Sequence, residues 1–222
     1  MSNEASEGTG PGRLGVLLVV ASPSGAGKST LSRLLLQDDR GISMSISATT
    51  RPRRPSEVDG VHYHFVTPSR FEQMRAGGEL LESAEVHGNL YGTPRQPIEQ
   101  ALAEGRDVLF DLNFEGTLQL YETMREHIVS VFILPPNVAA LKSRLERRAE
   151  DSPEAIRRRL TTARTELLHW HEFDYIIVND DLDSSFATLK AILAAARHSR
   201  GRNAALGALA ERMSAELAEL IG

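Results

Sequence analysis

The sequence predicts a doubly wound α/β fold: a parallel sheet flanked by helices, carrying an inserted α+β lobe and a helical lid. Three observations predict it. Near-continuous apolar runs recur at Val16–Ala21, Val108–Leu112, Ile128–Leu134 and Tyr175–Val178. Runs without polar alternation suit strands buried on both faces, as in a parallel sheet. Helical patterns separate them, at Phe114–Arg125, Val138–Arg148, Ala155–His169 and Leu182–Arg197, and strands alternating with helices give this architecture. The first run also passes through a loop of small residues straight into a helical pattern.

In chain order, residues 1–13 are polar and glycine-rich and read as a disordered tail. Residues 14–46 and 96–198 carry the strand–helix rhythm of the core. Residues 43–95 break that rhythm, being rich in Thr, Arg, Pro, Gly and His, with short strand-like pieces at Val61–Val66 and Glu79–Val86; the inserted lobe is placed at 47–95. An acidic, proline-containing break at Glu150–Glu154, flanked by arginine clusters, sets a lid at about 143–158. Residues 199–222 read as a linker and a final helix, since Leu206, Leu209, Ala210, Met213, Leu217 and Leu220 share one helical face.

The bulk numbers fit one large domain. Of 222 residues, 41% are hydrophobic and 25% charged, and no apolar run is long enough to span a bilayer, so no membrane partner is expected. A net charge of −5 argues against a general nucleic-acid binder. The absence of cysteine excludes disulfides and thiolate metal sites and fits a cytoplasmic location.

The loop between the first strand and helix reads Ser22-Pro23-Ser24-Gly25-Ala26-Gly27-Lys28-Ser29-Thr30. This is a phosphate-binding loop in which Ser22 stands where the usual pattern has its first glycine. Backbone N–H groups and the helix dipole favour an anion, Lys28 adds a mobile positive charge, and Ser29 offers a hydroxyl to Mg²⁺. The expected donor is a nucleoside triphosphate. Asp111 ends the second apolar run, and Asn179 and Asp180 follow the last. An acid at such a strand end can orient hydrated Mg²⁺ or a substrate phosphate. Helix capping is the alternative for all three.

Beyond the loop, the chain resembles the guanylate kinases from about Leu14 to Arg197. The resemblance rests on Ser24–Thr30, Ser45–Arg51, Arg54 with Glu57, Gly60 and Tyr63, Glu82 with Gly88, Tyr91, Gly92 and Thr93, Asp111 with Gly116, Arg144, Leu145 and Arg148, Arg159 and Leu160, and Val178–Leu182. It implies a P-loop NTPase-like sheet and phosphoryl transfer from ATP to GMP or dGMP, with Mg²⁺. It assigns the GMP phosphate to Arg51, Arg54, Tyr63 and Tyr91, and the guanine to Ser47, Glu82 and Thr93, with Asp111 and Asn113 completing that site. It assigns the triphosphate to residues 22–30 with Asn179, and gives Arg148 and Arg159 the triphosphate and the transferring group beside Lys28. Ser29 and, through water, Asp111 would face the metal.

Two departures stand out. Asn113 replaces a family aspartate that contacts guanine, and Ala149 replaces a glycine after Arg148. Arg144, Arg147, Arg157 and Arg158 read as a solvated helix face. Two other readings are a non-catalytic scaffold of this fold that binds phosphopeptides, and a P-loop kinase for a different nucleoside monophosphate. The final helix, which has no counterpart in the family pattern, points either to packing on its own core or to a homo-oligomer.

Overall fold

Five consecutive apolar residues, Leu17–Ala21, form strand β1 and are all buried. They sit at the centre of a computed structural model that describes residues 12–86, 88–147 and 152–221. The other parallel strands are β2 (Ile42–Met44), β7 (Asp107–Asp111), β8 (Ile128–Leu134) and β9 (Tyr175–Val178), in the spatial order β2-β7-β1-β8-β9. Alternate residues of β1 enter two separate cores. Leu18 and Val20 pack with Leu31 and Leu35 of α1 (Lys28–Asp38) and with Leu189 and Leu193 of α7 (Leu182–Arg197). Leu17 and Val19 pack with Ile98 and Leu102 of α3 (Arg95–Ala103) and with Leu120 and Met124 of α4 (Phe114–Met124). A strand covered on both faces has no polar side, which is why its sequence does not alternate.

A second sheet is built within residues 48–94 from β3 (Ala48–Thr49), β4 (His64–Phe65), β5 (Leu80–Val86) and β6 (Asn89–Pro94), in the order β4-β3-β6-β5. Helix α2 (Pro68–Ala76) covers it with Phe71 and Met74. Its start is written in the chain: Thr67 accepts the Arg70 N–H and Pro68 takes the first turn, where no backbone donor is needed. Two further helices, α5 (Val138–Glu146) and α6 (Pro153–Glu166), close over the loop after β1 through Leu141, Leu145 and Ala163. None of the described helices is long and apolar enough to cross a membrane.

Both ends of the chain differ from the composition-based reading. Arg13, expected in the tail, pairs with the buried carboxylate of Asp107 at 2.7 Å and bridges Asn203. The basic stretch before the last helix is no solvated linker. Arg197 binds Asp39 and Asp107, each at 2.6 Å, and Arg202 is buried, donating to the carbonyls of Gly15 at 2.6 Å and His127 at 2.8 Å. Helix α8 (Ala204–Ile221) grows from that anchored turn. Residues 1–11 of the expected tail, together with Arg148 and Ala149 of the expected lid, lie outside the described residues.

Candidate active site

The register of the large sheet lines up its carboxyl ends. Val20 stands beside Asp111 and Ala21 beside Phe132. The loop after Ala21 therefore meets Asp111 directly, and Lys28, in the first turn of α1, forms an ion pair with the Asp111 carboxylate. Its ammonium also donates to the Leu112 carbonyl at 3.2 Å.

Gly27 begins α1 in the left-handed conformation, with φ of 108°, and no side chain caps the helix. The first N–H groups of α1 thus have no capping side-chain acceptor and are available to an anion. A Cβ on Gly27 would lie 2.1 Å from the Asn179 side-chain nitrogen, so only glycine fits there. Gly25 has φ of 92°, and a Cβ there would press on Leu141 and Leu145 at 3.1 Å. Ser22, which lacks the expected glycine's freedom, donates its hydroxyl to the Pro23 carbonyl at 3.0 Å. Pro23 and Ala26 are buried, Ser24 half-buried, Ser29 exposed and Thr30 half-buried.

Buried Asn179 donates to the Ala26 carbonyl at 2.8 Å. It braces the loop from below and is not a helix cap; that task falls to Asp181, which accepts the Ser184 N–H. Arg144 spans the same join, donating to the Ala26 carbonyl at 3.2 Å and the Asn179 carbonyl at 2.9 Å. This corrects the reading of Arg144 as part of a solvated face. It lies beside Leu145 and one turn after Leu141, at the edge of the buried stripe of α5, and that position was the available signal. Gly25, Gly27, Thr30, Arg144, Asn179 and Asp180 line a cavity of about 290 Å³ beside the loop.

Asp111 itself lines a second cavity, of about 370 Å³. Ser47, His62, Tyr63, Thr93, Asp111 and Leu112 are among its lining residues. Behind Thr93 stands Glu82, 6% exposed, which accepts the Thr93 hydroxyl at 2.7 Å. Burial pushes the Glu82 carboxyl above the usual carboxylate range, with the Thr93 bonds opposing it. Tyr63 and Tyr91 meet edge to face at 5.9 Å, and Arg51 reaches the Tyr91 hydroxyl. Burial raises the Tyr63 phenol.

Arg51 is held in a fork by Glu57, at 2.6 and 3.1 Å, and the same carboxylate accepts the Arg54 N–H at 2.8 Å. The Arg51 guanidinium holds the Glu57 carboxyl down at about 2. Glu57 is thus the residue that positions Arg51, a role the sequence reading left unstated. Arg54 itself is exposed.

Asn113 caps α4 by accepting the Gly116 N–H at 2.9 Å, and its amide donates to Glu115. Asp111 is therefore not the cap. Arg159 is half-buried on α6, while Arg148 lies outside the described residues. Glu166, near the end of α6, is a residue that the sequence reading missed altogether. One of its oxygens is buried without a hydrogen-bond partner among the described residues, the Ser24 N–H approaches it, and burial raises its carboxyl while Lys28 opposes the shift.

The metal fit can be tested on donors. Among the described residues no group of three or more His, Asp or Glu side chains gathers to chelate an ion. Ser29 follows Lys28 in the first turn of α1, and Lys28 pairs with the Asp111 carboxylate; Mg²⁺ takes few protein ligands when phosphate oxygens and water complete its shell. The site suits a metal that arrives with a nucleotide.

Comparison with known proteins agrees with this geometry. The sequence profile described as guanylate kinase matches residues 15–196. A guanylate kinase of Chelativorans sp. is 57% identical over 205 residues, covering 90% of this chain and 94% of that protein. One from Rhizobium etli is 57% identical over 190 residues, 86% of each. The crystal structure of guanylate kinase from Anaplasma phagocytophilum superposes with a TM-score of 0.71 at 36% identity, over 90% of this chain and 95% of that one. With the P-loop NTPase fold and this extent of likeness, the chain belongs to the guanylate kinase family.

Proposed function

We propose that the chain transfers the γ-phosphoryl group of ATP to GMP, and to dGMP, giving ADP and the guanosine diphosphate. One observation carries the reading. Lys28 leaves the phosphate loop and ends on Asp111 and Leu112, both of which line the second cavity. A cation from the donor site thus reaches the wall of the acceptor site. In this reading residues 47–95 are the GMP-binding lobe, 14–46 and 96–198 the core, and 143–158 the lid. A cytoplasmic location suits these substrates and a chain without cysteine.

The chemistry asks for positioning and charge neutralisation. A GMP phosphate oxygen attacks the γ-phosphorus while the bond to the β–γ bridging oxygen of ATP breaks, and ADP leaves with that electron pair. The attacking oxygen is already ionised at neutral pH, so no general base is needed. The backbone of residues 22–30 holds the triphosphate and Asn179 braces that backbone. Lys28 exchanges Asp111 for the phosphate oxygens. Arg51, held by Glu57, meets the GMP phosphate together with Arg54, Tyr63 and Tyr91. Arg148 and Arg159 stabilise charge on the transferring group, as electrostatic donors do in a site closed to water. Ser29 and, through water, Asp111 would hold Mg²⁺, which would supply charge neutralisation to the triphosphate.

Glu82 reads the base. Ionised, it accepts both guanine N1–H and N2–H, while the Ser47 hydroxyl donates to O6; the Thr93 hydroxyl, which donates to Glu82 without a ligand, joins it only by turning away from that carboxylate. Adenine has no N1–H to give, and a buried carboxylate facing an acceptor disfavours it. Because burial raises the Glu82 carboxyl, it takes up a proton earlier than an exposed glutamate as pH falls. The KM for GMP is therefore expected to rise as pH falls from neutral toward that raised value, with the KM for ATP much less affected. Glu82→Gln should raise the KM for GMP by about 10- to 100-fold and flatten the profile, separating Glu82 from ionisation of the GMP phosphate itself. Parallel pH profiles for the two proteins would overturn this.

Asn113→Asp should lower the KM for GMP. Aspartate caps α4 as well as asparagine does, but it loses the bond to exposed Glu115 and meets that carboxylate as a like charge, so the melting temperature should fall slightly while a negative charge is restored at this position. An unchanged or higher KM would count against it. The primary test is ADP release with GMP, dGMP, AMP and UMP as acceptors. ADP formed only in the absence of a nucleotide acceptor, or equally with AMP, would reject the reading.

A further inference from the structure

Helix α8 carries an apolar face that no other described part of the protein covers. Leu206, Leu209, Met213 and Leu217 are 43–54% exposed and Leu220 is 82% exposed. No α8 residue belongs to a hydrophobic cluster formed by the described residues. The helix leaves the body at Arg200–Arg202, anchored by Arg202 on the Gly15 carbonyl, at the amino-terminal ends of the strands, opposite the phosphate loop. Among the described residues, α8 packs on no core, which was one of the two readings the sequence allowed.

The stripe has an internal symmetry. Its spacings, from Leu206 to 209, 213, 217 and 220, run three, four, four and three. That series reads the same in both directions about Met213. An antiparallel copy of the same helix, turned about a two-fold axis at Met213, sets Leu206 against Leu220 and Leu209 against Leu217. An isologous interface has this property: one patch complements itself. The charges agree. Arg212 and Glu216 lie on the same flank of α8, and in the antiparallel pair Arg212 stands within two residues' rise, about 3 Å, of the second copy's Glu216. The two-fold axis makes that pair twice. A parallel pair sets opposite flanks together and brings neither charge to a partner on the second copy. Gly207, Ala210 and Ser214 border the stripe and let the backbones approach.

We propose that α8 is a homodimerisation helix that pairs antiparallel with α8 of a second copy about Met213. Two helices of this length, each about 27 Å, bury on the order of 1,000 Å² in total, at the lower bound of a specific interface. The dimer therefore dissociates on dilution. Both catalytic sites face away from the contact, so turnover does not require it.

The full chain is measured by sedimentation velocity across a concentration series. The mass should rise from that of one chain to that of two. Met213→Glu should stay at one chain throughout, with wild-type circular dichroism and turnover. Since the protein has no cysteine, single substitutions report orientation. Met213→Cys should form a disulfide-linked dimer on oxidation. Leu206→Cys and Leu220→Cys should each fail alone and cross-link to one another when mixed. A single-chain mass at every concentration would overturn the proposal and assign the face to a different partner. So would a dimer that survives Met213→Glu, or one that cross-links Leu206→Cys to itself.

Discussion

Lys28→Met is expected to lower kcat by about 10²- to 10³-fold, the effect of removing one preorganised donor from a transition-state charge. The fold should be untouched. The Lys28 and Asp111 side chains are 20% and 36% exposed, so water can solvate the carboxylate once the lysine is gone. Two controls separate chemistry from structure. Lys28→Arg should recover little, because a planar guanidinium cannot take the place of an ammonium that must slip between Asp111 and the phosphates. Asp111→Asn should cost less than Lys28→Met, since it removes the resting partner and keeps the cation. ADP release at saturating ATP and GMP gives kcat, and thermal melting reports the fold. A loss under tenfold, or equal losses for the two variants, would mean that Lys28 serves the Asp111 pair and not the transfer.

The central strands were legible because burial on both faces leaves no ambiguity in their composition. Val16–Ala21, Val108–Leu112, Ile128–Leu134 and Tyr175–Val178 all became strands to within a residue. In the lobe, β5 falls within the strand-like Glu79–Val86 and β4 within Val61–Val66, but β2 and β3 left no trace. β2 has three residues and buries only Ile42, and β3 and β4 have two each. Their place is set by hydrogen bonds to neighbours far along the chain, which periodicity cannot reveal. Helix α2 did have a readable start in Thr67-Pro68, but its weakly amphipathic sequence hid it within the irregular lobe. In the site, residues that would touch a ligand were visible as chemical types at strand ends and in the loop. Their supports were not. Glu57 and Glu166 act on a guanidinium and a loop N–H, and nothing in their own neighbourhoods in the sequence marks them; Arg144, which acts on carbonyls, was marked only by its place at the edge of the apolar stripe of α5.

Asp107 is the clearest case of a support hidden in the sequence, and the largest stability effect should come from it. It sits at the start of β7, immediately before the apolar run whose other end drew attention through Asp111. Its side chain is fully buried. It accepts the Val16 N–H at 2.7 Å, Arg13 at 2.7 and 3.3 Å, and Arg197 at 2.6 Å. One carboxylate thus ties the entry to β1, the start of β7 and the end of α7. Replacing it with alanine leaves two guanidinium groups and a backbone N–H facing a space that water reaches poorly. Breaking a buried pair from one side costs about 3–5 kcal/mol. For a chain of this length that lowers the melting temperature by roughly 6–20 °C. Asp107→Asn, which keeps an acceptor oxygen, should fall between wild type and alanine. Arg13→Ala should cost less than Asp107→Ala, because Arg197 still neutralises the carboxylate. The knot lies at the amino-terminal ends of the strands, whereas the phosphate loop and Asp111 lie at the carboxyl ends. Folded Asp107→Ala protein should therefore keep a KM for GMP near wild type. Urea unfolding followed by circular dichroism gives the stability, and a loss below about 1 kcal/mol, within the range of ordinary surface hydrogen bonds, would show that the three elements hold together without it.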